Sequence, residues 1–118
     1  MGSGCGDNEI PPLDADVELS LADYPALMED GGRVSLPTSV TAYVVPIFVE
    51  RIAEGEYRAL SAYCNHEGCA VQTNGDGYRC GCHGATFAAT GKLTGGPATK
   101  GLREFSTMVN GETLTILA

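Results

Sequence analysis

The sequence predicts an all-β fold, in which antiparallel strands form a base and a smaller subdomain is inserted at about residues 62–98. Three observations indicate this class. The chain of 118 residues contains 16 Gly, no Trp and 7% aromatic residues, which suits a small, loop-rich β protein better than one with a large apolar core. Short stretches of alternating apolar and polar residues lie between turn signals. The sequence has no internal repeat and no long run of helical periodicity.

The first part of the chain predicts two short strands. Residues 17–21 alternate between apolar and polar, as in a half-buried strand. Residues 24–30 predict a turn or a single helical turn. Residues 33–36 then predict a brief strand that Pro37 stops.

A hairpin is expected in the middle of the chain. Residues 41–52 are rich in Val, Ile, Tyr and Phe, which predicts a strand, and Pro46 within it requires a bulge or an edge position. A turn at Glu54-Gly55-Glu56 returns the chain as a strand over 57–62.

Two further hairpins follow from Asn-Gly turns. Asn74-Gly75-Asp76 lies between apolar segments at 70–72 and 77–80, and Asn110-Gly111 lies between alternating segments at 102–109 and 112–117. Asn-Gly between two such segments is a strong hairpin signal.

The residues that can bind metal are concentrated in one window. Both histidines and four of the five cysteines lie between Cys64 and His83. The window contains two motifs, Cys64-Asn65-His66-Glu67-Gly68-Cys69 and Cys80-Gly81-Cys82-His83-Gly84. Two thiolates and two imidazoles can hold a metal centre. A structural zinc site takes four ligands and would leave two of these six unused. A purely disulfide-stabilised domain would leave both histidines unexplained.

The paired motifs resemble those of the Rieske iron–sulfur proteins. The resemblance implies one 2Fe-2S cluster, with Cys64 and Cys80 on one iron and His66 and His83 on the other. It also implies a Rieske-like fold of antiparallel sheets over residues 15–118, in which 62–98 form the cluster-binding subdomain. The histidine nitrogens would face solvent, where the electron partner docks.

The remaining cysteines and a proline loop agree with the same family. Cys69 and Cys82 match the pair that forms a disulfide in its quinol-oxidising branch, and this pair argues against a ferredoxin that serves a dioxygenase. Gly96 and Pro97 match the loop that covers the cluster from a third side.

Three positions depart from the quinol-oxidising members. Glu67 stands where an apolar residue shields the cluster, and Ala85 and Phe87 stand where Ser and Tyr donate hydrogen bonds to sulfur. Losing donors and adding a carboxylate both destabilise the more negative, reduced cluster, so the resemblance implies a lowered reduction potential. Thr86 offers a substitute hydroxyl. A carboxylate at position 67, unless it points away into solvent, suits a cationic protein partner better than a quinone.

The sequence therefore predicts an electron-transfer protein rather than an enzyme, with a redox protein docking at the histidine side of the cluster. The alternatives are a small subunit of a larger oxidoreductase, of the bc or arsenite-oxidase type, and a zinc- or disulfide-stabilised binding module. The formal net charge of −8 argues against nucleic acid and anionic membrane surfaces, and permits steering toward basic proteins.

The N-terminal segment predicts export. Small residues before Cys5 resemble the end of a bacterial lipoprotein signal, so residues 1–14 would be a flexible tail that can tether the protein through a lipid on Cys5. No apolar run reaches the length needed to cross a bilayer. A disulfide requires an oxidising compartment, so the expected location is the periplasm or the cell surface.

Overall fold

A computed structural model describes residues 9–65, 68–82, 84–98 and 100–118. Within them the chain forms short antiparallel strands, which confirms the all-β prediction. The only helical segments there are two 3-10 turns, Leu21–Asp23 and Pro25–Met28, and the four-residue α1, Thr38–Thr41. The strands are β1 (Val17–Ser20), β2 (Arg33–Leu36), β3 (Ile47–Ala53), β4 (Glu56–Ser61), β5 (Val71–Asn74), β6 (Gly77–Cys80), β7 (Thr86–Phe87), β8 (Leu93–Gly95), β9 (Glu104–Phe105), β10 (Thr107–Asn110) and β11 (Thr113–Ile116).

The strands form three sheets in two compact units. The base unit, Pro12–Ser61 with Glu104–Ala118, holds the sheets β1-β11-β10 and β2-β3-β4-β9. The second unit, Ala62–Arg103 with residues 9–11, holds the sheet β5-β6-β7-β8. Among the described residues, no helix is long and apolar enough to cross a membrane.

The base unit is held together by apolar residues that alternate along its strands. In the first sheet Val17 pairs with Ile116 and Leu19 with Leu114, and all four side chains are buried. Burying an apolar side chain of this size is worth roughly 1.5–3 kcal/mol. The second sheet contributes further fully buried residues, Leu36, Ile47 and Val49.

Tyr43 connects several parts of the base unit. Its ring packs edge-to-face against Phe105, with centroids 5.4 Å apart and an interplanar angle of 87°. Its hydroxyl is 2.9 Å from Oγ of Ser61, and both residues are buried. A buried hydroxyl needs such a partner because an unsatisfied one is costly.

The predicted strand over 41–52 is wrong in its first half. Thr38–Thr41 is α1, Ala42 has a φ of 59°, and β3 begins only at Ile47. Every second residue from 41 to 47 is nevertheless buried. The alternation that predicted a strand is therefore real, but a left-handed residue interrupts the extended backbone.

Two more expectations for the base unit need correction. Pro46 was expected to require a bulge or an edge position within a strand. It instead directly precedes β3, which has strands on both sides, and the irregular register of β3 lies between Arg51 and Ala53. The single strand predicted over 102–109 is two strands, β9 and β10, interrupted at Ser106. They belong to different sheets, since β9 pairs with β4 and β10 with β11.

The second unit is built on the β5–β6 hairpin. Gly75 has a φ of 60°, as an Asn-Gly turn requires, and the register pairs Val71 with Cys80, which confirms the predicted hairpin. Tyr78 of β6 pairs with Phe87 of β7, and both rings are buried. β7 and β8 have only two and three residues, and the sequence did not predict them.

Candidate metal centre

The first cysteine loop, residues 64–69, lies between Tyr63 and Ala70, which pair with each other in an isolated β-bridge. It is closed by two backbone hydrogen bonds: the N–H of Cys64 donates to the carbonyl of Cys69 at 3.0 Å, and the N–H of Gly68 donates to the carbonyl of Cys64 at 2.9 Å. Gly68 has a φ of 74°, a conformation that glycine adopts without steric cost. The loop thus returns the chain on itself and leaves the side chain of Cys64 buried.

The second cysteine loop, residues 80–85, repeats this geometry at the end of β6. The N–H of Cys80 donates to the carbonyl of Ala85 at 2.8 Å, and the N–H of Gly84 donates to the carbonyl of Cys80 at 2.9 Å. Gly84 also has positive φ, at 82°. In both loops the closing glycine is therefore the fourth residue after a buried cysteine, which explains why the two motifs share a Cys and a Gly at that offset.

A disulfide joins the two cysteine loops. Cys69 and Cys82 are bonded, with Cα atoms 6.4 Å apart and a sequence separation of 13, which confirms the pairing that the resemblance implied. Cross-linking a loop of this length stabilises a fold by about 3 kcal/mol in the chain-entropy account. Cys69 is half-buried and Cys82 is exposed.

The two other cysteines of the window are buried thiols. Cys64 and Cys80, 0% and 1% exposed, are the cysteines of the described residues that form no disulfide. The sulfur of Cys80 lies within 4.8 Å of both disulfide sulfurs. The disulfide therefore lies beside one of the two thiols that can bind iron.

A third loop, the proline loop (residues 96–100), contacts both cysteine loops. Gly96 has a φ of 91°, and a Cβ there would lie 2.9 Å from the nitrogen of Ala85 and 3.1 Å from the carbonyl oxygen of Gly84. At the other end, the N–H of Lys100 donates to Oδ1 of Asn65 at 3.3 Å. Gly96 and Pro97 are exposed and Ala98 is buried. The proline loop is thereby held against the backbone of the second cysteine loop and a side chain of the first.

The structure describes some of the predicted site residues. His66, Glu67 and His83 lie outside the described residues. Of the predicted tuning positions, Ala85 and Phe87 are buried, at 0% and 3% exposure. The hydroxyl of Thr94 donates to that of Thr86 at 2.9 Å, so the substitute hydroxyl at position 86 has a partner in β8.

Asn65 is one of two site residues that sequence reasoning missed. It is 1% exposed although its side chain is polar, and its amide oxygen accepts the backbone N–H of Lys100. Its position inside the first motif, between a cysteine and a histidine, was the available signal. Tyr63 was also missed as a site residue: its hydroxyl lies 2.8 Å from where a Cβ on Gly68 would be.

The chain is similar to known iron–sulfur proteins. The family model of the Rieske [2Fe-2S] domain matches residues 24–106. The chain belongs to the Rieske family. Its sequence is 44% identical over 103 residues to the cytochrome b6-f complex iron-sulfur subunit 1 of Nostoc sp. (strain PCC 7120), covering 86% of this chain and 56% of that protein.

Two further Rieske proteins are similar. The cytochrome b6-f complex iron-sulfur subunit of Synechococcus sp. (strain JA-2-3B'a(2-13)) is 40% identical over 68 residues, 56% of this chain and 39% of that protein. This chain thus spans about half the length, or less, of these curated relatives. The crystal structure of the cyanobacterial plasma membrane Rieske protein PetC3 from Synechocystis PCC 6803 superposes with a TM-score of 0.63 at 32% identity, covering 84% of this chain and 95% of that one.

Family membership identifies the cofactor as one Rieske-type 2Fe-2S cluster. The described residues fit it, because each of two equivalent loops begins with a buried thiol and neither thiol is used by the disulfide. Iron–sulfur clusters are held by cysteine thiolates, and the Rieske type replaces two of the four by histidines.

Proposed function

We propose that this protein transfers single electrons through a Rieske 2Fe-2S cluster held by Cys64, His66, Cys80 and His83. The observation that carries the proposal is the pair of equivalent loops, each of which begins with a buried thiol and is closed by the same two hydrogen bonds. When bound, the cluster supplies a one-electron redox couple. The disulfide and the proline loop restrain both cysteine loops, which limits their rearrangement.

The test is EPR of the purified protein after chemical reduction, with iron and zinc counted on the same sample. We expect two irons per chain and the low average g of a histidine-ligated cluster. Cys64→Ser and Cys80→Ser should lose iron, whereas Cys5→Ser, the same change in the N-terminal tail, should retain it. A sample that holds zinc or no metal would overturn the proposal.

The reduction potential is proposed to lie well below the upper end of the Rieske range, which is roughly +300 mV. The support is the absence of a hydroxyl at two buried positions, Ala85 and Phe87. Protein-film voltammetry of the intact protein measures the potential directly, and a value near the upper end would contradict this proposal.

The partner is proposed to be a redox protein that docks at the histidine side of the cluster. A second candidate role is that of a small subunit in a larger oxidoreductase. It is favoured by the curated relatives, which are named as subunits of the cytochrome b6-f complex. Purification from the native membrane separates the two roles: a stoichiometric large subunit supports the second, and recovery of this chain alone supports an independent carrier.

The location is proposed to be extracytoplasmic, with a lipid on Cys5. Ile10 and Leu13 of the predicted tail, residues 1–14, are buried, so the proposed tether is limited to the residues before Ile10. The disulfide supports an oxidising compartment. Mass spectrometry of the native protein tests the tether, since a diacylglyceryl group on Cys5 adds a defined mass that Cys5→Ser removes. An unmodified Cys5 in the native protein would contradict it.

A further inference from the structure

The acidity of this chain is not evenly distributed. Residues 62–103 contain four cationic side chains, Arg79, Lys92, Lys100 and Arg103, and two acidic ones, Glu67 and Asp76. The base unit, Pro12–Ser61 with Glu104–Ala118, contains three arginines and eleven Asp or Glu residues. The remaining two acidic residues, Asp7 and Glu9, lie before Pro11, and residues 9–11 belong to the same compact unit as residues 62–103. The net charge of −8 therefore arises outside the segment that carries the cysteine loops.

The four cations of this segment are here named the cationic set, and one of them, Arg103, donates a hydrogen bond from its guanidinium to the carbonyl oxygen of Ile10 at 3.4 Å. All four residues are exposed, and within the described part of the chain none of them forms a salt bridge. The base unit differs, because Arg51 pairs with Asp30 and Arg58 with Glu50, each at 3.0 Å. Local pairing thus reduces the cationic character of the base unit still further.

Two members of the cationic set lie next to the cysteine loops. A terminal guanidinium nitrogen of Arg79 is 3.5 Å from where a Cβ on Gly84 would be, so this charge lies over the second cysteine loop. Lys100 belongs to the proline loop, and its N–H binds Asn65 of the first cysteine loop. Lys100 and Arg103 also line a depression of about 240 Å³ with Glu9, Ile10 and Gly101.

The cofactor does not cancel this charge. A 2Fe-2S cluster with two thiolate and two neutral imidazole ligands is formally neutral when oxidised and carries one negative charge when reduced. Residues 62–103, with four cationic and two acidic side chains, therefore keep a formal charge of +2 in the oxidised state and +1 in the reduced state, and Glu9 of the same unit lowers each value by one. At physiological ionic strength charges further away than about 8 Å are largely screened, so an approaching molecule responds mainly to charges near the loops.

We propose that the surface around the cysteine loops docks an acidic face of the partner protein. This inference rests on the proposed electron-transfer function and specifies the partner's chemistry. It reverses the expectation drawn from the overall charge and from Glu67, that the partner is basic. The physical reason is that association is steered by the local field at the contact surface rather than by the total charge.

Oxidation of the reduced protein by small complexes of opposite charge tests the sign of this field. For ferricyanide, a trianion, we expect the second-order rate constant to fall by roughly tenfold between about 0.01 M and about 0.1 M salt, over which the Debye length shrinks from about 30 to about 10 Å. For hexaamminecobalt(III), a trication, the rate constant should rise. A ferricyanide rate that rises with salt would overturn the inference.

A pair of isosteric variants locates the charge. Gln72 is exposed and lies opposite Arg79 in the β5–β6 register, so Gln72→Glu should pair with that guanidinium and lower the ferricyanide rate severalfold at low salt. Asn110→Asp adds the same charge to an exposed position of the base unit and should leave the rate nearly unchanged. Equal effects of the two variants would assign the response to net charge and refute the inference.

A second measurement does not depend on the cluster. Poly-L-glutamate should bind the wild-type protein at low salt in a calorimetric titration. Its affinity should be lower for Gln72→Glu and the same for Asn110→Asp. If the preparation lacks the Rieske EPR signal, the proposed function fails. The titration still shows whether the surface around the cysteine loops binds a polyanion. Absence of polyglutamate binding by the wild type would reject the cationic docking surface.

Discussion

Replacing Gly96 by Ala should separate the contribution of the proline loop from that of ordinary backbone strain. Gly96 has a φ of 91°, and its Cβ would overlap the backbone of Ala85 in the second cysteine loop. The positive φ costs an alanine about 1–2 kcal/mol. Overlap with neighbouring atoms that cannot easily move adds about 1–3 kcal/mol, so the total is about 2–5 kcal/mol.

The loop can avoid part of this cost only by moving away from the cysteine loops. Such movement would expose Ala98, which is 6% exposed, and would break the hydrogen bond between Lys100 and Asn65. The Gly96→Ala variant would then lose its cluster faster, and its free energy of unfolding would fall less. Both outcomes are measurable on the intact protein, by far-ultraviolet circular dichroism for unfolding and by visible absorbance for the cluster.

Gly75→Ala is the matched control. Gly75 lies in the same unit with a φ of 60°, and a Cβ there would meet nothing within 4 Å. Backbone strain should therefore lower the free energy of unfolding of this variant by only about 1–2 kcal/mol, or roughly 4–8 °C in Tm. The cluster should be retained normally. If Gly96→Ala matches Gly75→Ala in both readouts, the close approach of the proline loop has no energetic role and the reasoning is refuted.

Three further predictions concern single side chains. Asn65→Ala removes the buried acceptor of the Lys100 N–H and should cost about 1–3 kcal/mol and accelerate iron release to a chelator; unchanged release would contradict this role. Tyr43→Phe removes the hydroxyl 2.9 Å from Ser61 and should lower Tm by an amount equivalent to about 1 kcal/mol with an unaltered EPR spectrum, whereas an altered spectrum would refute its assignment to the base unit alone. Ala85→Ser and Phe87→Tyr should each raise the reduction potential, by about 40 mV per 1 kcal/mol of stabilisation of the reduced state, and a downward shift in voltammetry would argue against the lost-donor explanation.

Sequence reasoning predicted the elements that carry local signals. Asn-Gly turns and alternating apolar and polar residues predicted the β5–β6 and β10–β11 hairpins, and the resemblance to the Rieske family implied the disulfide between Cys69 and Cys82. The third sheet was only half predicted, because the two residues of β7 and three of β8 are too few to show a period.

The wrong strand predictions have two causes. In one segment buried and exposed residues alternate although the backbone forms no strand, and in another the strand pairing changes from one sheet to another with no sequence signal at that point. Ala42 turns the chain by a left-handed φ of 59° inside a segment with strand-like burial. The run over 102–109 changes sheet at Ser106 with no Gly or Pro to mark the change. The role of Asn65 was missed for a different reason: its partner, the N–H of Lys100, is 35 residues away, and no sequence spacing indicates that contact.

The crowding of three sulfur atoms beside the second cysteine loop bears on how the protein matures. Cys80 has its sulfur within 4.8 Å of both Cys69 and Cys82, and thiolates exchange with nearby disulfides. Until iron occupies Cys80, a thiolate there can attack the Cys69–Cys82 bond, which forms a disulfide to one of these two cysteines and releases the other as a thiolate. Peptide mapping of protein oxidised without iron should therefore find Cys80 in mixed pairings, and protein assembled with its cluster should not show them. Iron bound at Cys80 would then protect the disulfide from exchange, so the order of disulfide formation and iron insertion would affect the yield of correctly paired protein.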